Sequence, residues 1–135
     1  EVSFQSETIY EEAGICILQD HRFHYCLLKV KEEDGTDVLR LYQTKEGITL
    51  LYKKMPILRK GALYLTVIFR TDAYDFYYGY TEGECILLQS GIKASLLSSY
   101  TNKGFTGVYI GMYATANGKS SISKAYFDWF LYETL

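Results

Sequence analysis

The sequence predicts an all-β domain, an antiparallel sandwich, on three observations. Short segments alternate apolar and polar residues with a period of two. Turn-forming residues punctuate them at near-regular intervals, as in sandwiches of short strands. No helical period competes; the mixed stretch 90–103 offers at most one turn, at 94–97.

The elements follow in chain order. Val2-Ser3-Phe4-Gln5 is strand-like. Residues 13–19 form the next strand, Asp20-His21-Arg22 its turn, and 23–31 the return. Asp34-Gly35 marks a hairpin turn into 38–43. Lys45-Glu46-Gly47 turns the chain into 48–54, and Lys60-Gly61 precedes 62–70. Thr71-Asp72-Ala73 and Glu82-Gly83 bracket 74–80, and 84–89 follows. Pro56 falls between strands, where its missing N–H removes no ladder bond. Two aromatic-rich segments close the chain around a polar Gly/Ser loop. Val108, Ile110, Met112 and Ala114 share one face of the first; Ala125, Phe127, Trp129 and Leu131 share one face of the second. They read as paired strands, each with one face in the core.

With 135 residues, 48% of them hydrophobic, the chain reads as one domain, 1–135, with a single substantial core. The 14 tyrosines and 7 phenylalanines stand out, because tyrosine suits half-buried sheets and sugar-facing grooves equally. The 14 basic and 16 acidic residues lack the positive excess of a nucleic-acid footprint, so no nucleic-acid partner is expected. No run of about 18 apolar residues suits a membrane span, and there is no secretory signal pattern. Opening on strand-like residues fits a mature or excised piece whose targeting information lies upstream. Cys16, Cys26 and Cys85 form an odd set without metal spacing and read as buried reduced thiols of a cytoplasmic protein. With His21-Arg22 as the hairpin tip, Cys16 faces Leu27 and Cys26 faces Ile17. The two thiols then lie on opposite faces, and a disulfide would need another register.

No catalytic signature emerges. His21 and His24, the two histidines, project to opposite faces of an extended chain and make a poor ligand pair. Neither a serine elbow nor a zinc-protease motif is present. The carboxylate pairs Glu11/Glu12, Asp34/Asp37, Asp72/Asp75 and Glu82/Glu84 sit in or beside turns, where acids are solvated punctuation; glycoside hydrolysis needs two facing one cleft. Asp128 interrupts an aromatic strand. It reads as a hydrogen-bond acceptor for a neighbouring loop, or as a ligand for a hard cation such as Ca²⁺, the single cofactor considered. Tyr74, Phe76, Tyr78 and Tyr80 share a face, as do Tyr109 and Tyr113, and again Tyr126, Phe130 and Tyr132. Packed between sheets, such rings are core; exposed, they stack on sugars, and Tyr109 and Tyr113 are the candidates for that. Phe105, held between glycines in Gly104-Phe105-Thr106-Gly107, sits at a loop tip and suggests a contact surface.

These motifs resemble a known accessory module. Glu12-Ala13-Gly14-Ile15, Gln19-Asp20 and His24-Tyr25 match its opening. Tyr64-Leu65, Arg70, Tyr74, Phe76 and Tyr78 match its centre. Phe105-Thr106-Gly107, Gly111, Tyr113-Ala114 and Phe127-Asp128-Trp129-Phe130 match its close. The module is the C-terminal concanavalin A-like β-sandwich of family 43 glycoside hydrolases, the β-xylosidase/α-arabinofuranosidase type. The resemblance implies a jelly-roll sandwich of two antiparallel sheets. It also implies an upstream five-bladed catalytic propeller as partner and xylo- or arabino-oligosaccharides as substrates. Phe105 would be the loop aromatic at the pocket rim, with no catalytic residue in this chain. Family members are often intracellular and oligomeric, so a homo-oligomer is expected. The centre departs from the family: Tyr77-Tyr78-Gly79-Tyr80 replaces a Tyr-Ser pair, and Cys85 stands near a usual tryptophan, which leaves the particular substrate open. The rival reading is a free-standing carbohydrate-binding module.

Overall fold

The computed structural model describes residues 1–102 and 107–134. Ten strands carry the fold: β1 (Val2–Phe4), β2 (Glu12–Asp20), β3 (Phe23–Lys31), β4 (Asp37–Lys45), β5 (Ile48–Pro56), β6 (Tyr64–Arg70), β7 (Ala73–Gly79), β8 (Ile86–Lys93), β9 (Tyr109–Thr115) and β10 (Ala125–Phe127). A 3-10 turn at Ala94–Leu97 and one α-helical turn at Ser99–Asn102 separate β8 from β9.

Every pairing is antiparallel. One layer runs β5-β4-β3-β2-β9. The other joins β6-β7-β8 to β1-β10 where Val2 and Leu63 exchange both backbone bonds at 2.8 Å. The result is the all-β, two-layer sandwich that the alternation predicts.

The core follows from the period of two. Phe23, Tyr25 and Leu27 on β3 point inward, with Ala13 and Ile17 on β2 and Leu39 and Leu41 on β4 beside them. Tyr74 and Phe76 of β7 meet them from the other layer; both rings stand 6.4 Å from Tyr25, edge to face. The stripe from Tyr74 to Tyr80 is therefore core, its last two rings partly buried. Each fully buried ring or branched side chain contributes roughly 1.5–3 kcal/mol.

The outer face of β3 is buried too. Cys16, Cys26, Leu28, Val30 and Val38 form a second cluster beneath Tyr42. Tyr42 reaches across β3. Its hydroxyl accepts from Arg40 at 3.0 Å and donates to Glu12 at 2.9 Å. Burial, with the Glu12 carboxylate behind it, pushes this hydroxyl up to about 12, so it stays a donor at neutral pH. Arg40 also pairs with Glu32 at 2.8 Å, and that bond holds the Glu32 carboxyl below its usual range.

The structure corrects three expectations. First, Cys16 and Cys26 form a disulfide. The hairpin tip is where the sequence puts it, with Asp20 opposite Phe23, but the register then shifts between Leu18 and Asp20. Gln19 is the extra residue of a bulge, and every position behind it moves by one, bringing Cys16 opposite Cys26. Disulfides persist in oxidising compartments, so these cysteines no longer argue for the cytoplasm. Cys85 alone is free, and it is exposed. Second, the closing segments do not pair with each other: β9 pairs with β2 and β10 with β1, in opposite layers. Third, Pro56 is the last residue of β5 itself, tolerated because β5 is an edge strand.

Candidate functional site

Several connections gather at one end of the sandwich. The β4–β5 turn touches the β2–β3 turn through Gly47 N–H and the Arg22 carbonyl at 3.0 Å. The Ala94 N–H donates to the Asp72 carbonyl at 2.8 Å, and the Tyr25 hydroxyl to the Lys93 carbonyl at 3.2 Å. The Asn102 carboxamide donates to Gln19 Oε1 at 2.7 Å and to the Leu96 carbonyl. Asn102 is thereby tied to the bulge of β2. Phe105, with Gly104 and Thr106, lies outside the described residues; its described flanks, Asn102 and Gly107, bracket it.

Tyr109 and Tyr113 do share the outer face of β9, and both are open to solvent, at 61% and 42% exposure. Opposite them on β2 stand Leu18 and Gly14. Gly111 lies between the rings, and a side chain placed there would meet nothing within 4 Å. The arrangement is a shallow trough with two tyrosine walls and a glycine floor, about 13 Å along the strand at roughly 3.3 Å per residue.

Asp128 is exposed, one residue beyond β10. His24 lies on β3 with Nδ1 3.4 Å from the Asp20 carbonyl, and His21 lies in the turn. Among the described residues, no group of three or more His, Cys, Asp or Glu side chains stands close enough to hold a metal ion.

Most turn carboxylates act as local acceptors. Asp20 accepts from the backbone of Arg22 and Phe23, Asp34 from Thr36 and Glu84 from Tyr80, whereas Asp75 lies within β7 and accepts from Gly91 of β8. Asp37 pairs with the buried Lys29 at 3.4 Å, and Lys29 also donates to the Phe4 carbonyl. Glu11 departs from the expectation of solvated punctuation, because it is buried. Its carboxylate accepts from the N–H groups of Glu7 (2.7 Å) and Thr8 (3.2 Å) and from the hydroxyls of Ser121 (2.5 Å) and Ser123 (3.0 Å). The Ser121 bond above all lowers its pKa, against the opposing effect of burial. Nothing local in the sequence announces this hub, since its hydroxyl partners lie 110 and 112 residues away.

Residues 1–133 match the beta xylosidase C-terminal concanavalin A-like domain. The chain belongs to this family. It is 31% identical, over 99% of its length, to the non-reducing end alpha-L-arabinofuranosidase BoGH43B of Bacteroides ovatus, of which it covers 25%. The solved Bacteroides ovatus xyloglucan PUL GH43B superposes with a TM-score of 0.82 at 27% identity, over 92% of this chain and 24% of that one. The xylan beta-1,4-xylosidase of Bacillus halodurans C-125 gives 0.75 at 26% identity, over the same shares. The chain thus spans about a quarter of the length of its relatives. In this family 43 C-terminal domain the motif Phe127-Asp128-Trp129-Phe130 straddles the end of β10, and Gly14 of the opening motif lies where β2 and β3 approach closely.

Proposed function

We propose that the domain serves a family 43 glycosidase breaking down xylan- or arabinoxylan-derived oligosaccharides, packing on the catalytic propeller and supplying Phe105 to the rim of its sugar pocket. The family match across residues 1–133 carries the reading, together with relatives four times as long that are named as an arabinofuranosidase and a xylosidase. The exposed apolar side chains of β5 (Ile48, Leu50, Leu51, Tyr52) fit a surface that another body covers. A ring at the rim excludes water and limits substrate length, and it moves no proton. Phe105→Ala in the full-length enzyme is expected to lower kcat/KM on a short xylo- or arabino-oligosaccharide about tenfold, or ~1.4 kcal/mol, with an unchanged pH profile. An unchanged kcat/KM would contradict the role.

The tyrosine trough favours a second reading, a carbohydrate-binding module in which Tyr109 and Tyr113 stack on sugar rings across the open floor at Gly111. Binding of oligosaccharide by the isolated chain separates the two readings.

A further inference from the structure

The bulge in β2 aligns the two cysteines, and it also aims a side chain. The β2–β3 ladder steps from Leu18 to Asp20 and passes Gln19 over. Bulges re-aim side chains in this way and are common beside functional sites. Gln19 is buried, at 2% exposure. Its Oε1 accepts from Asn102 Nδ2 at 2.7 Å, a bond between residues 83 apart in sequence. A carboxamide nitrogen carries two protons, and Asn102 gives the other to the Leu96 carbonyl in the 3-10 turn. Its backbone N–H donates to the Ser98 carbonyl at 2.9 Å. Asparagine suits this place. An aspartate would turn acceptors toward two acceptors, and a serine has one proton to give.

A second foothold lies one residue back along β2. Leu18 stands opposite Tyr109, the first residue of β9. The chain 103–108 therefore departs from a residue tied to Gln19 and returns to one paired with Leu18. Consecutive positions of one strand close both its ends. That strand is firmly set: the Cys16–Cys26 disulfide joins it to β3, whose residues from Tyr25 to Val30 are all buried. Phe105 is the third residue after Asn102.

We propose that Asn102 is a positioning residue for Phe105. Its carboxamide, held by Gln19 and the Leu96 carbonyl, fixes the point from which the chain sets out toward the sugar pocket. Closing both ends of a short segment narrows where its middle can stand, and releasing the Asn102 end widens it again. The ring then spends less of its time at the rim. Asn102 touches no sugar and moves no proton, so its whole effect passes through Phe105. The inference rests on reading Phe105 as the rim aromatic of a family 43 glycosidase.

The test is a double-mutant cycle in the full-length enzyme, with a short and a longer xylo-oligosaccharide as substrates. Asn102→Leu keeps the side-chain volume and removes both donors. It is expected to lower kcat/KM on the short substrate about three- to tenfold, by no more than Phe105→Ala does, with an unchanged pH profile. The ratio of kcat/KM between the two substrates should move in the direction in which Phe105→Ala moves it. In the Phe105→Ala background Asn102→Leu should cost nothing further, because no ring is left to aim. Asn102→Ala, which adds no bulk, should behave alike and serves if the leucine variant does not fold. Parental kcat/KM in the Asn102 variant beside a lowered value in Phe105→Ala would overturn this assignment and leave the rim reading standing. So would equal losses with and without the ring, on both substrates alike, which would make Asn102 merely structural. Parental kcat/KM in Phe105→Ala would overturn the rim reading and this assignment with it.

Discussion

Gly14→Ala is expected to unfold the domain or bring it close to unfolding. A Cβ on Gly14 would stand 2.1 Å from the Leu27 carbonyl oxygen and 3.1 Å from Leu28 Cα. Both are backbone atoms of β3, which pairs on both edges and is packed on both faces. Neither strand can yield without losing ladder bonds or core contacts. The cost falls in the exceptional class of about 4–5 kcal/mol, a large share of the ~5–15 kcal/mol that holds an ordinary domain together. Gly111→Ala is the matched control, because a Cβ there meets nothing within 4 Å. Its unfolding free energy in urea should stay within about 0.5 kcal/mol of the parent. Equal midpoints for the two variants would refute the close approach of β2 and β3.

Glu11→Ala should destabilise the domain by about 2–4 kcal/mol, since it strands two backbone N–H groups and two serine hydroxyls around one buried acceptor. The carboxylate clips the loop before β2 to the loop before β10. Its folded pKa is lowered from an ordinary value of 4.5. The native state therefore favours the anion. The corresponding stability is fully present above the unfolded pKa and is lost as pH falls through the depressed folded value. Acid should weaken the parent in this window, below about pH 4.5. Glu11→Gln should remove that part of the pH dependence while remaining less stable at neutral pH. Parallel stability–pH curves for the parent and Glu11→Gln would contradict the hub.

Much of the fold can be read from alternation and turn chemistry alone. The span 23–31 coincides with β3 because Asp20 and the hairpin tip fix its start. The turn at 94–97 is a 3-10 turn. The bulge at Gln19 is not legible, because one extra residue leaves the pattern of apolar positions almost unchanged while reversing what Cys16 faces. Nor does alternation choose partners: β9 and β10 carry matching aromatic patterns and go to opposite layers. The strand expected over 125–131 ends at Phe127, opposite Val2, the first residue of β1. At the candidate site, spacing showed that Tyr109 and Tyr113 share a face. That the face points outward depends on the register of β9 on β2, which sets Tyr109 and Tyr113 opposite Leu18 and Gly14 of the outer face, and that register is a tertiary fact. Glu11 was hidden for the same reason, its partners being distant in sequence.

The role proposed for this domain is to act through a catalytic domain, with no sugar chemistry of its own. Isothermal titration of the isolated chain with xylose, xylotriose and arabino-oligosaccharides, with hydrolysis followed in parallel, tests it most directly. Neither heat of binding nor turnover is expected. Saturable binding that is lost in Tyr109→Ala would hand the function to the tyrosine trough, and turnover by the isolated chain would contradict the account outright.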